Sequence, residues 1–186
     1  MKTIVWKAYI NYEKEEDWLN SMAAKGLAFK DFFLFRYVFE DCMPGEYTYR
    51  LELLNNHAAH PESKNYINFM AENGVEHISS WHRWVYFRKR SADGSFEIYS
   101  DIDSRIKHYQ RIALLWFFIM IMLILAGISN IHTGIELGHI FGTNSPGMFN
   151  LVVGIIVLFL GVVILLTWNQ LRLKIKKLRR EQTLRE

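Results

Sequence analysis

Arg36, Arg50 and Glu52 are the residues whose types and spacing come closest to a site. Alternation along two candidate strands, Phe32–Phe39 and Glu46–Leu54, places all three opposite the aromatic side chains. Two guanidinium groups on adjacent strands could grip a carboxylate or a phosphate in bidentate fashion. The plainer alternative is a cross-strand ion pair, Arg36–Glu52, worth roughly a few tenths of a kcal/mol when exposed. Lys7 belongs to the same side, and a fourth strand adds either Trp84 and Tyr86 or Arg83 and Val85, depending on its register. The candidate ligand or partner face is therefore Lys7, Arg36, Arg50, Glu52, Trp84 and Tyr86. A homodimer interface through that face is a third reading, because an open sheet with aromatics allows it.

Other chemistry is sparse. His57 and His60 sit in a loop, His77, His82 and His108 are scattered, and no HExxH or paired-carboxylate spacing occurs, so no metal site is assigned. His132, Glu136 and His139 would share one face of a helix, where they could bind a cation or respond to pH; a solvated helix needs no such role. No serine has G-x-S-x-G context and no Gly-rich phosphate loop is present, so no catalytic residue and no cofactor is assigned. Nucleic acid is excluded as a partner: the third strand lacks the aromatic pattern of an RNA-recognition sheet, and the soluble part is acidic.

The elements that must carry these residues follow from periodicity. Thr3–Ile10 alternates as a strand. Asn11 is an N-cap candidate, followed by Glu13, Glu15, Glu16 and Asp17 in the first turn of a helix that Gly26 ends. The stretch Trp18–Gly26 could dock a partner, but an aromatic residue at helical spacing also reads simply as core. Pro44-Gly45 marks a turn between the second and third strands. Pro61 opens a second helix that stops at Asn73-Gly74; Val75–Lys89 is strand-like with a break near Ser79-Ser80, and Ser95–Ser100 is a short last strand. The order β-α-β-β-α-β plus a terminal strand predicts an α+β fold, the ferredoxin-like split β-α-β arrangement with both helices on one face of an antiparallel sheet.

Ile112–Ile131 and Phe149–Trp168 are two runs of 20 residues without Asp, Glu, Lys, Arg or His. At about 1.5 Å per residue each spans a hydrocarbon core of about 30 Å, which predicts a two-helix transmembrane hairpin. Arg105, Lys107 and Arg111 precede the first run; Arg172, Lys174, Lys176, Lys177, Arg179 and Arg180 follow the second; the loop His132–Gly147 has neither Lys nor Arg. Both termini are therefore expected in the cytoplasm, with the six basic residues after the second run at lipid headgroups. The overall charge of +3 divides into 12 Lys/Arg against 16 Asp/Glu over residues 1–104, and 10 against 3 over residues 105–186. Gly154 and Gly161 share a face of the second helix, for packing against the first helix or another copy. Cys42, the single cysteine, allows no internal disulfide and fits a reducing compartment. The division expected is a cytoplasmic domain over 1–104, a membrane hairpin over 105–168 and a basic helical tail over 169–186.

Glu16–Gly26, Leu34–Glu40, Pro44–Glu52 and Arg83–Lys89 together resemble the DUF2812 family of bacterial membrane proteins of unknown function. The resemblance implies frequent gene neighbourhood with PadR-type transcriptional repressors, and so a regulatory or envelope-stress role; it carries no catalytic residues. The function expected is a membrane-anchored, non-catalytic module engaging a cytoplasmic protein such as a transcriptional regulator. The alternatives are an anion- or small-molecule-binding domain using Arg36 and Arg50, and a structural subunit that oligomerises through Gly154 and Gly161.

Overall fold

A computed structural model of the chain describes residues 2–99, 101–142 and 146–184, which divide into two compact units, Met1–Asp101 and Ile102–Glu186. The first unit runs β1 (Lys2–Trp6), α1 (Tyr12–Ala24), β2 (Leu27–Phe33), β3 (Arg36–Asp41), β4 (Tyr47–Leu53), α2 (Pro61–Glu72), β5 (Glu76–Trp81) and β6 (Trp84–Arg90). The second holds α3 (Ile102–Phe141) and α4 (Pro146–Thr183).

The α+β class with an apolar helical hairpin stands. The strands, however, form two antiparallel three-stranded sheets, β1-β3-β2 and β4-β6-β5, where one split β-α-β sheet was expected. Two hairpins account for the difference. Phe32–Phe39 is not one strand, because the chain reverses at Leu34 and Phe35, both at positive φ (48° and 69°). Val75–Lys89 likewise reverses after Trp81, with His82 at φ 55° and Trp84 paired back onto Trp81. The expected last strand is irregular over 95–99, with Phe96 buried beside Val85 and Phe87; Ser100 lies outside the described residues.

The unit is a tandem repeat of β-α-β-β. Trp18–Gly26 aligns without gaps on Tyr66–Gly74, sharing Asn, Met, Ala and Gly at the same four positions. The local geometry repeats at the same spacing. Gly26 and Gly74 each follow the helix C-cap at positive φ, the register shift between Phe29 and Asp31 recurs between His77 and Ser79, and Phe33↔Arg36 corresponds to Trp81↔Trp84 at the hairpin ends. Asn11 caps α1 by accepting from the Glu13 and Lys14 amides, and Pro61 occupies the first turn of α2, where no amide donor is needed.

Between the repeats, α1 is buried on two sides. Trp18 meets Tyr37 and Phe39 of the first sheet edge-on, at 4.8 and 5.6 Å between centroids. Leu19 and Ala23 join one cluster with Phe29, Tyr49, Leu51 and Tyr86, so the same helix also packs on the second sheet. The two sheets meet at β2 and β5, where the Ser79 hydroxyl accepts from the Phe32 amide and donates to Asp31. The far side of the second sheet is covered by α2, through Met70 against Val85 and Phe87.

In the second unit, α3 and α4 are each long and apolar enough to cross a membrane, and only 22% and 17% of their most apolar stretches are buried. A soluble core helix would be mostly buried; here Leu114, Phe118, Met122, Leu125, Phe149, Ile155 and Phe159 point outward. Along the apolar runs the buried residues are Ile112, Ala113, Met120 and Ile164 together with the glycines Gly127, Gly154 and Gly161, and Gly134 and Gly147 are buried beyond them. Gly154 and Gly161 thus face α3 of the same chain. The expected outer loop is helical to Phe141, and residues 143–145 lie outside the described part.

A Cβ at position 154 would stand 2.9 Å from the Gly127 carbonyl oxygen and 2.9 Å from the Ile131 amide, so only separation of the helices relieves it. At 161 the nearest atom is a side-chain carbon at 3.3 Å, and at 138 the space is open. Gly154→Ala is expected to cost about 1–3 kcal/mol, Gly161→Ala less, and Gly138→Ala nothing measurable, by thermal unfolding in detergent.

Candidate functional site

The six residues of the expected face do not form one surface. Arg36 lies in the first sheet and Arg50 in the second, so the two guanidinium groups share no pair of adjacent strands, and the Arg36–Glu52 ion pair does not exist. Arg50 is committed within the chain: it pairs with Glu16 and with Glu97, each at 3.2 Å, and donates to the Tyr49 carbonyl. Glu52 is buried and accepts from the Tyr66 hydroxyl at 2.8 Å. Trp84 packs on Tyr12, and Tyr86 is buried in the cluster shared by the repeats. Lys7 lies over the Tyr9 and Trp18 rings. Arg36 is half-buried on the outer side of the first sheet, its Nε buried without a hydrogen-bond partner. Among the described residues no three His, Cys, Asp or Glu side chains are grouped as a metal ion would require, and His132 lies 3.7 Å from Glu136 along α3.

The titratable groups with perturbed pKa hold the repeats together. Glu15 Oε1 accepts from the Tyr37 and Tyr86 hydroxyls, both at 2.7 Å, joining one tyrosine from each repeat on one carboxylate of α1. Burial raises the Glu15 pKa, opposed by those two hydrogen bonds, and burial with the adjacent carboxylate keeps both phenols protonated. On the neighbouring side of α1, Glu16 accepts from the Leu51 amide, and one turn further the Asn20 carboxamide accepts from the Tyr49 amide while donating to the Tyr49 carbonyl. These side chains cap the free edge of β4, which has no strand neighbour there.

What the structure leaves uncovered is the outer face of the first sheet. Register places Ile4 beside Val38, and Trp6, Arg36 and Phe33 in one row across the three strands. The same places in the second sheet are Leu51 beside Tyr86, and Leu53, Trp84 and Trp81 in the row. There α1 packs on Leu51 and Tyr86, and Leu51, Leu53 and Tyr86 are 3%, 1% and 3% exposed; on the first sheet the central Val38 is buried, while Ile4 and Trp6 on β1 and Phe33 on β2 are 50%, 71% and 54% exposed. The adjoining hairpin tip extends this open face with Leu34 and Phe35, both exposed. Bulky side chains at positive φ in a two-residue turn cost on the order of 1 kcal/mol each where Asn-Gly would cost little. Sequence reasoning could have found the face from the repeat, since the spacing from Trp18 to Tyr66 transfers the hairpin and bulge from one unit to the other.

In the second unit, the basic ends of the helices border an open groove of about 610 Å³ lined by Gln110, Asn169, Arg172, Lys176 and Arg179. Arg172 stacks over Trp168 at 4.8 Å and Lys174 over Tyr109 at 4.9 Å.

Fold and site together define a tandem β-α-β-β module joined to an apolar helical hairpin. The profile of a family described as "Protein of unknown function (DUF2812)" matches residues 11–121, and the chain belongs to that family. No curated protein and no solved structure matches it.

Burial pushes the Glu16 pKa up from 4.5 to about 7, against the Leu51 amide and Arg50. A carboxyl raised on folding contributes stability that is complete below its unfolded pKa and lost as pH rises through its folded one. Between pH 4.5 and 7 the wild-type chain is therefore expected to lose stability relative to Glu16→Gln, read as a melting-temperature difference that grows with pH.

Proposed function

We propose that the chain is a membrane-anchored, non-catalytic regulatory module whose cytoplasmic unit binds a protein partner on the open face of its first sheet. The observation that carries this is the contrast between equivalent places on the outer strands: Leu51 and Leu53 are buried, while their counterparts Ile4 and Trp6 are bare. A surface built like one that seats a helix is suited to seat another. Burying a large apolar side chain is worth roughly 1.5–3 kcal/mol, so a partner helix covering this row gains enough to bind specifically. The perturbed carboxylates support binding over catalysis, because Glu15 and Glu16 are consumed in fastening α1 to both sheets. The resemblance to a family encoded beside PadR-type repressors points to a transcriptional regulator as the partner, held at or released from the membrane.

The membrane reading rests on apolar side chains outward and glycine inward along α3 and α4, the reverse of a soluble bundle. Arg172, Lys174, Lys176, Lys177, Arg179 and Arg180 then meet anionic headgroups on the cytoplasmic side, which puts both termini there.

Trp6 is exposed, so Trp6→Glu leaves folding little changed. Full-length protein solubilised from membranes is expected to retain a cytoplasmic protein that the Trp6→Glu chain binds roughly 30-fold more weakly, as loss of one aromatic anchor implies. Equal recovery of the same proteins by both chains would sink the proposal.

A further inference from the structure

We infer that copies of this chain associate head to tail, with α2 of one copy seated on the open face of the first sheet of the next. This rests on the reading of that face as a docking surface, and adds its occupant and a means of regulation. The template is internal: the second sheet is covered by the helix of the other repeat, and among the described residues no helix of the first unit covers Ile4 and Trp6 of the first sheet. At the other end of the unit, α2 has no following sheet. Leu19 and Ala23 of α1 are fully buried, whereas the equivalent Ile67 is half-buried and Ala71 exposed. The chain therefore carries both halves of its own internal interface, one at each end.

Particular residues fit the repeat of that interface. Asn20 clasps the Tyr49 amide and carbonyl at the free edge of β4, at 2.7 and 3.1 Å. Its equivalent on α2, Asn68, keeps the carboxamide and is exposed. Lys2 takes the place of Tyr49: Tyr49 pairs with Arg88 and Lys2 with Glu40, on the free outer edge of β1. The buried carboxylate is removed together with its hydroxyl partners. Where the internal contact sets Glu15 against Tyr37 and Tyr86, the contact between copies sets Ser63 near Val85 and Val38. Two charged groups depart from the template: Lys64 stands where Glu16 does and Arg36 where Trp84 does, so those two contacts are not repeated. Such a contact is heterologous and does not close on itself after two copies, so it generates chains of molecules. A partner helix on the open face competes with α2, so self-association and partner binding exclude one another.

The test uses full-length chains in native membranes, all carrying Cys42→Ser, with Lys2→Cys in one tagged copy and Asn68→Cys in a second. Oxidation is expected to link the two copies well above the level given by Asn68→Cys with Met43→Cys, an exposed control position. A chain carrying both Lys2→Cys and Asn68→Cys is expected to give a ladder of multimers. Adding Trp6→Glu to the Lys2→Cys copy, which leaves the buried core untouched, should lower linkage by roughly tenfold or more. Linkage at the control level, or linkage between Lys2→Cys copies alone, overturns the inference. So does quenching of a fluorophore at Phe35→Cys by brominated lipid without linkage, which would give the face to the bilayer. Linkage lost while partner capture still depends on Trp6 overturns the occupant and spares the docking reading. Linkage intact with capture insensitive to Trp6 supports the occupant and removes the other partner.

Discussion

One helix serving two sheets is the constraint on which the first unit depends. A helix on a single sheet needs one apolar stripe, but α1 is flanked by Trp18, which packs on the first sheet, and by Glu16 and Asn20, which fasten the edge of the second. Between them Glu15, Leu19 and Ala23 form a stripe buried from both directions. A carboxylate in that stripe would be strongly destabilising alone. Two phenol hydroxyls, one from each repeat, make it a connector, because removing the first repeat would strand the Tyr86 hydroxyl and removing the second would leave Glu15 with one donor fewer. The polar residues that look out of place on a buried helix are thus the ones that specify which sheet goes on which side.

The duplication shows how little identity such a unit needs. Gly26 and Gly74 take the left-handed conformation just past the helix, where a Cβ would be strained. Lys30 and Ile78 are the extra residues of the two bulges, and they share nothing but position. Helix end, bulge and hairpin are set by backbone requirements, so side chains elsewhere were free to diverge. On the outer face of the first sheet Val38 stands where Tyr86 does and is buried like it, whereas Ile4 and Trp6 stand where Leu51 and Leu53 do and are exposed.

Legibility in the sequence followed the same division. Helices were readable because Asn11, Gly26, Pro61 and Gly74 announce their ends by mechanism, and the uncharged runs announced the apolar hairpin. The β-hairpins were not readable, because Leu34-Phe35 and His82-Arg83 are not turn formers; tertiary packing holds the chain in a reversal that local chemistry disfavours. That one gap propagated. With the reversal unseen, β3 and β4 became neighbours, Arg36 and Arg50 were placed on one face, and Tyr86 was set outward when it is the partner of Glu15. Residues 132–141 read as loop because the uncharged run stops at Ile131, yet α3 continues by backbone hydrogen bonding through His132 and Glu136.

The glycine seam bears on where association energy can come from. In lipid, helices gain little by burying Leu or Ile, since the acyl chains they leave are equally apolar; close backbone approach and dispersion must hold them. Gly127, Gly134, Gly147, Gly154 and Gly161 supply that approach between α3 and α4 and are used up in doing so. The outward surface they leave is Leu, Ile, Phe and Met, which lipid solvates as well as another helix would. Trp6, Ile4 and Phe33 belong instead to the first unit, which has no helix long and apolar enough to cross a membrane among its described residues; in water, covering such a surface is favourable by about 25 cal/mol per Å². On that difference in solvent rests the proposal that contacts with other proteins draw their free energy from the exposed residues of the first sheet and not from the hairpin.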